Sequence, residues 1–172
     1  AGAVYYDDLD ADNGLPAQVR AGLAWRRPGV GGVGFDVTHH FSSRYDWMSG
    51  TPDGESVVIR LEREAVTDFQ LGGEYVLRKR YPLRAGAFTS FSSAPDLVAN
   101  GDSQINQVDL YGLTASVGSV GDNVVVNFGL SYAWGEGDAL GTRLDAVGDL
   151  ESFVSRTRES GLYAFASTAY RF

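Results

Sequence analysis

Few residues in this chain are spaced for chemistry, and the obvious groupings exclude themselves. His39 and His40 are its two histidines. If they lie on a strand, as neighbours there they point to opposite faces and cannot chelate one ion together. Asp8, Asp10 and Asp12 match the first half of a calcium loop, yet Asn13 stands where that loop needs Gly, and Val19 where it needs a bidentate Glu. A solvated acidic loop is expected there, with divalent bridging to lipopolysaccharide as its functional alternative. Ser131, Ser167, His40 and Asp36 form no triad by spacing, and no Gly-x-Ser-x-Gly elbow accompanies them. The expectation is therefore no catalytic residue, no cofactor site and no metal site. One pair does have a spacing with consequences. Glu74 and Arg84 flank the Arg78-Lys79-Arg80 turn and become cross-strand neighbours if that turn closes a hairpin. Asp36 and Arg171 are expected on the same face, in one charge network that braces a wall.

The elements that would position such a pair are strands. Helical period fails almost everywhere, whereas apolar residues alternate with small or polar ones in segment after segment. Val124, Val126, Phe128, Leu130, Tyr132 and Trp134 share one face, opposite Val125, Asn127, Gly129, Ser131, Ala133 and Gly135. The pattern predicts seven full strands near 17–26, 31–43, 66–78, 82–92, 105–118, 123–135 and 159–172, with a shorter one at 3–7. Three connections are tight: Arg27-Pro28-Gly29, Arg78-Lys79-Arg80 and Ser119-Val120-Gly121-Asp122. Long polar stretches at 44–65, 93–104 and 136–158 separate them. In a meander every second connection falls at the same end, so one rim is trimmed and the other carries loops.

The chain has 172 residues, no Cys, 22 Gly and a net charge of −8 from 14 basic and 22 acidic residues. That is one domain's length, without disulfides or a thiolate metal site. The acidic balance argues against a nucleic-acid partner. No apolar run reaches the length of a transmembrane helix, which leaves a membrane barrel open. Ala1-Gly2-Ala3 shows no secretory signal, so the chain reads as a processed form or as a piece of a longer one.

Alternation alone does not say which face is wet, because soluble and membrane barrels are inside-out versions of each other. Three features favour the membrane. Strands of ten or eleven residues suit a tilted crossing. Aromatics gather near strand ends, with Trp25, Tyr81, Tyr170 and Phe172 at the trimmed rim and Phe41, Tyr132 and Trp134 toward the looped one, as two interfacial girdles would. The non-apolar face is rich in Gly, Ala and Ser, and Lys79, the only lysine, sits in a turn. The fold expected is all-β, an antiparallel up-and-down transmembrane β-barrel with about eight strands in this chain, whole or part of a larger barrel.

Leu15-Pro16-Ala17-Gln18-Val19-Arg20-Ala21-Gly22-Leu23-Ala24-Trp25-Arg26 resembles a strand opening of the outer-membrane protein transport family, the long-chain fatty acid transporters of Gram-negative bacteria. Gly72-Gly73-Glu74-Tyr75, Tyr81-Pro82-Leu83-Arg84-Ala85-Gly86 and Ser92-Ser93-Ala94-Pro95-Asp96 resemble that family's late hairpin and Pro-Asp loop. Thr168-Ala169-Tyr170-Arg171-Phe172 resembles the terminal strand signal of outer-membrane barrels. The resemblance covers about residue 15 to the end and corresponds to the carboxyl-terminal half of a family member. It implies residence in the bacterial outer membrane, passive movement of hydrophobic small molecules, membrane lipid and lipopolysaccharide as surroundings, and Tyr170 and Phe172 read by the barrel insertion machinery. It also implies further strands from a missing amino-terminal part or another chain. Nothing matches the family's Asn-Pro-Ala plug motif, so no transport residue carries over. The alternatives are a self-contained eight-stranded barrel with a structural or adhesive role, and a soluble lipocalin-like carrier whose apolar faces point inward.

Overall fold

The computed structural model describes residues 9–12, 14–51, 56–99, 105–144 and 150–170. Every regular element among them is a strand: β1 (Leu9–Ala11), β2 (Gln18–Arg27), β3 (Gly31–His40), β4 (Ser43–Gly50), β5 (Val57–Arg63), β6 (Val66–Leu77), β7 (Tyr81–Ser90), β8 (Gln107–Val120), β9 (Val124–Leu144) and β10 (Leu150–Tyr170). The protein is thus all-β. The large sheet runs β10-β9-β8-β7-β6-β3-β2, and β1-β4-β5 form a small second sheet. Every ladder is antiparallel.

The seven expected strands are the seven of the large sheet, because the period-2 patterning and the turn chemistry agree. Pro28 and Gly29 close β2 onto β3, with Gly29 at φ +72° and Val30 N donating to Arg27 O at 3.1 Å; Pro then Gly at the turn centre is the type II signature. Arg78 and Lys79 close β6 onto β7 with φ of 52° and 59°, the hand that matches strand twist in a type I′ turn.

The long polar stretches differ from expectation. Residues 44–65 contain β4 and β5, and 136–158 continues β9 and β10. Their charges are cross-strand partners, not loop residues: Asp46 pairs with Arg60 at 2.8 Å, Arg44 with Glu62, and Arg143 with Glu151 at 2.9 Å. The expected strand at 31–43 ends at His40, and a break at Phe41 and Ser42 starts β4. The expected strand at 3–7, Asp8, Asn13, Arg171 and Phe172 lie outside the described residues.

Barrel closure by this chain is not observed. Among the described residues no ladder joins β2 to β10, so both are sheet edges. The sheet is nonetheless curved. Seven strands laid flat would span about 29 Å at about 4.8 Å per gap, yet one cavity of about 790 Å³ is lined by residues from Ala24 on β2 to Phe165 on β10. The concave side carries Asp36, Gln70, Glu74, Arg84, Thr114 and Ser116 among glycines and alanines, with Phe88 and Phe165 beside them.

The apolar side is outward. Among the described residues the only buried ones other than glycines and Pro82 are Ala94 in the loop after β7, so the sheet encloses no apolar core. Leu23 is 82% exposed, Phe128 59% and Leu130 53%.

Candidate functional site

The registers stack the concave face into transverse rows. One row reads Arg26, Gly32, Glu74, Arg84, Ser116, Gly129 and Phe165 from β2 to β10. The next reads Ala24, Gly34, Gly72, Gly86, Thr114, Ser131 and Tyr163, and a third Gly22, Asp36, Gln70, Phe88, Gly112, Ala133 and Gly161. The middle row has three glycines side by side on β3, β6 and β7. A Cβ at Gly34 would find no atom nearer than 3.8 Å, and one at Gly72 none nearer than 4.0 Å. The floor is therefore open over Gly34 and Gly72, whereas a Cβ at Gly86 would come within 2.9 Å of Thr114 Oγ1; the row is a trench between a charged row and a mixed row.

Glu74 and Arg84 meet as the turn spacing predicts. Arg84 Nη2 lies 2.8 Å from Glu74 Oε2, and Arg84 Nε donates to the same oxygen at 2.9 Å. Arg84 Nη1 also donates to Asn127 Oδ1 at 2.8 Å, and Asn127 Nδ2 donates to Ser167 Oγ at 3.4 Å. Arg84 thus passes over β8, whose inward residues there are Ser116 and Gly118. The small side chains of β8 make room for the crossing, which ties β6, β7, β9 and β10 together. Asp36 belongs to a second group: Arg20 Nε lies 3.4 Å from its Oδ1, and Arg20 Nη2 donates to Gln70 Oε1 at 3.4 Å. No direct bond joins Asp36 to Glu74 or Arg84 among the described contacts, so the single network expected from the sequence is two.

Aromatic rings cover glycines of the neighbouring strand. Phe88 lies over Gly112, Phe165 over Gly129 and Phe153 over Gly141, each directly across the ladder and so close that a Cβ would run into the ring. Phe88 and Phe165 also line the cavity, adding apolar walls to the polar trench.

Trp25, Tyr81, Tyr132 and Trp134, expected from the sequence to form aromatic girdles, lie on the opposite, outward face and are exposed. Trp134 stacks on Tyr132 at 5.6 Å and neighbours Tyr111 at 6.5 Å, and Phe91 meets Tyr111 edge-on at 5.7 Å. Tyr170 is exposed at the end of β10. Past Trp134 the outward face changes at once to charge, with Glu136 2.8 Å from Arg158.

His39 and His40 are on opposite faces. His39 Nδ1 is 2.8 Å from Thr67 Oγ1 and its ring meets Phe41 edge-on, whereas His40 Nε2 lies 4.0 Å from Asp68 Oδ2. Among the described residues no group of three or more His, Cys, Asp or Glu is placed to hold a metal ion. The sequence reading missed Arg20, Gln70, Phe88 and Phe165, and missed Asn127 and Ser167 as partners of Arg84. Their rows emerge only from registers set across long connections. No protein-family model, curated protein or solved structure matches this chain.

Proposed function

We propose that this chain forms the wall of a transmembrane β-barrel in a bacterial outer membrane and offers a passive path for hydrophobic small molecules such as long-chain fatty acids. The observation that carries the reading is a broad exposed apolar face on a sheet with no apolar core among the described residues. In water that surface would forgo the burial that folds a chain of this size; hydrocarbon supplies it. A soluble carrier needs the reverse arrangement, with the apolar face around the cavity. The apolar band on β9 runs from Val124 to Trp134. That is about 33 Å of strand, and a tilt of about 40° makes it about 25 Å tall, the height of an outer-membrane barrel's apolar band.

The path is the trench. Over Gly34 and Gly72 a slender acyl chain meets open space, and Phe88 and Phe165 give it apolar contact. The residues there bind and orient; none is arranged for bond-making chemistry. The choice of fatty acids rests on the motifs that resemble the outer-membrane transport family. The test is entry of labelled palmitate into vesicles containing the folded chain. Uptake should be faster than in empty vesicles and slowed by Gly72→Leu, which fills the trench floor. Equal rates with and without protein would remove the transport role.

A second reading, a small barrel with an adhesive role, is favoured by one observation: the ion-paired β4–β5 and β9–β10 hairpins carry Asp46–Arg60, Arg143–Glu151 and Arg156–Glu136 beyond the apolar band. Loss of cell-surface attachment on trimming those hairpins, with palmitate flux absent throughout, would support it.

A further inference from the structure

The trimmed rim gathers cations that have no ion-pair partner among the described residues. Arg27 ends β2, and Arg78, Lys79 and Arg80 form the β6–β7 turn; all four are exposed. Val76 N donates to Val30 O at 2.7 Å and Val120 N to Arg80 O at 2.9 Å, which sets these turns beside each other and beside the end of β8. Elsewhere the described arginines are engaged, Arg26 on the concave face excepted: Arg20, Arg44, Arg60, Arg84, Arg143, Arg156 and Arg158 have ion pairs, and Arg63 donates to Ser93 Oγ. At this rim none of the four has an ion pair among the described residues, and Asp122 is the one acid in the described turns. In a chain of net charge −8 this concentration is against the trend.

Two further features give the cluster a direction. Arg78 and Lys79 occupy positive-φ positions that favour Gly and Asn, so basic side chains stand there at a conformational cost. Immediately inside them, on the outward face, lie Trp25, Tyr75 and Tyr81, at 63%, 56% and 37% exposure, with the Arg80 guanidinium 5.7 Å from the Tyr81 ring centroid. Aromatic rings followed by Lys and Arg are the order in which a bilayer presents its interface and then its phosphates.

We propose that this rim is a collar for anionic phospholipid headgroups of the adjoining leaflet, with Arg27, Arg78, Lys79 and Arg80 as phosphate ligands. The inference rests on the membrane reading above, and its test separates the two. The chain is folded into phosphatidylcholine vesicles containing trace spin-labelled phosphatidylglycerol or spin-labelled phosphatidylcholine, and the fraction of each label immobilised at the protein is measured. The wild type should immobilise phosphatidylglycerol preferentially, and salt should weaken that preference. Arg27→Gln combined with Arg78→Asn and Lys79→Gly should lower the preference by up to about fivefold per charge removed. The last two substitutions supply the residues such a turn favours, so a purely structural role for them predicts equal or better folding and an unchanged lipid preference, which would overturn the collar. Equal immobilisation of both lipids by the wild type would overturn it too while leaving the membrane reading intact. Failure to insert into any vesicle would remove both.

Discussion

Arg84 shows what one residue contributes to the concave face. Its guanidinium serves Glu74 and Asn127 at once, and so links strands on both sides of β8. Both members of the Glu74–Arg84 pair are partly solvated, at 25% and 41% side-chain exposure, so the pair is a modest brace. Glu74→Gln should lower unfolding free energy by about 1 kcal/mol, measured by urea titration in vesicles and attenuated by salt. Face assignment has a larger signature. Leu130→Arg should cost about 2–4 kcal/mol in the same titration, because its side chain would meet mid-bilayer hydrocarbon. Ser131→Arg, one residue on but on the concave side, should cost clearly less; equal costs would contradict the orientation. The Glu74–Arg84 pair was legible because a tight turn fixes its own register. Asn127 was not, since its approach to Arg84 depends on how β7 meets β8 across residues 91–106.

Strands are where the sequence spoke most clearly. Alternation and three tight turns located all seven strands of the large sheet, while the hairpins within 44–65 and 136–158 were hidden by their charges. Val57, Ile59 and Leu61 alternate with Val58, Arg60 and Glu62, but polar residues on an exposed face look like loop when no partner strand is known. The ring-over-glycine pairs were equally hidden, because the ring and its glycine lie on different strands. They hold neighbouring strands in register, and this can be measured. Gly112→Ala forces a methyl against the Phe88 ring and should cost about 1–3 kcal/mol. Adding Phe88→Leu should recover part of that loss in a double-mutant cycle. Additive losses would mean the two side chains do not interact.

At the scale of the molecule, the lack of an apolar core among the described residues has a direct readout. Folded into vesicles, the chain should migrate faster on a gel before boiling than after it, and chymotrypsin should spare Phe128, Leu130, Tyr132 and Trp134 of the 124–134 band while cutting at the exposed Leu144. Complete digestion in the presence of vesicles would contradict burial of that band. Direction of travel along the sheet adds a constraint that composition and patterning never hinted at. Seven strands that reverse at every step begin and finish pointing the same way, so β2 and β10 are mutually co-directional. Joining them with the same reversal throughout takes an odd number of intervening strands, giving the even total typical of single-chain bacterial barrels. Two copies inserted in like orientation would instead meet along parallel seams, which pair less stably. A strand that continues the antiparallel pattern at either edge therefore runs opposite to both β2 and β10.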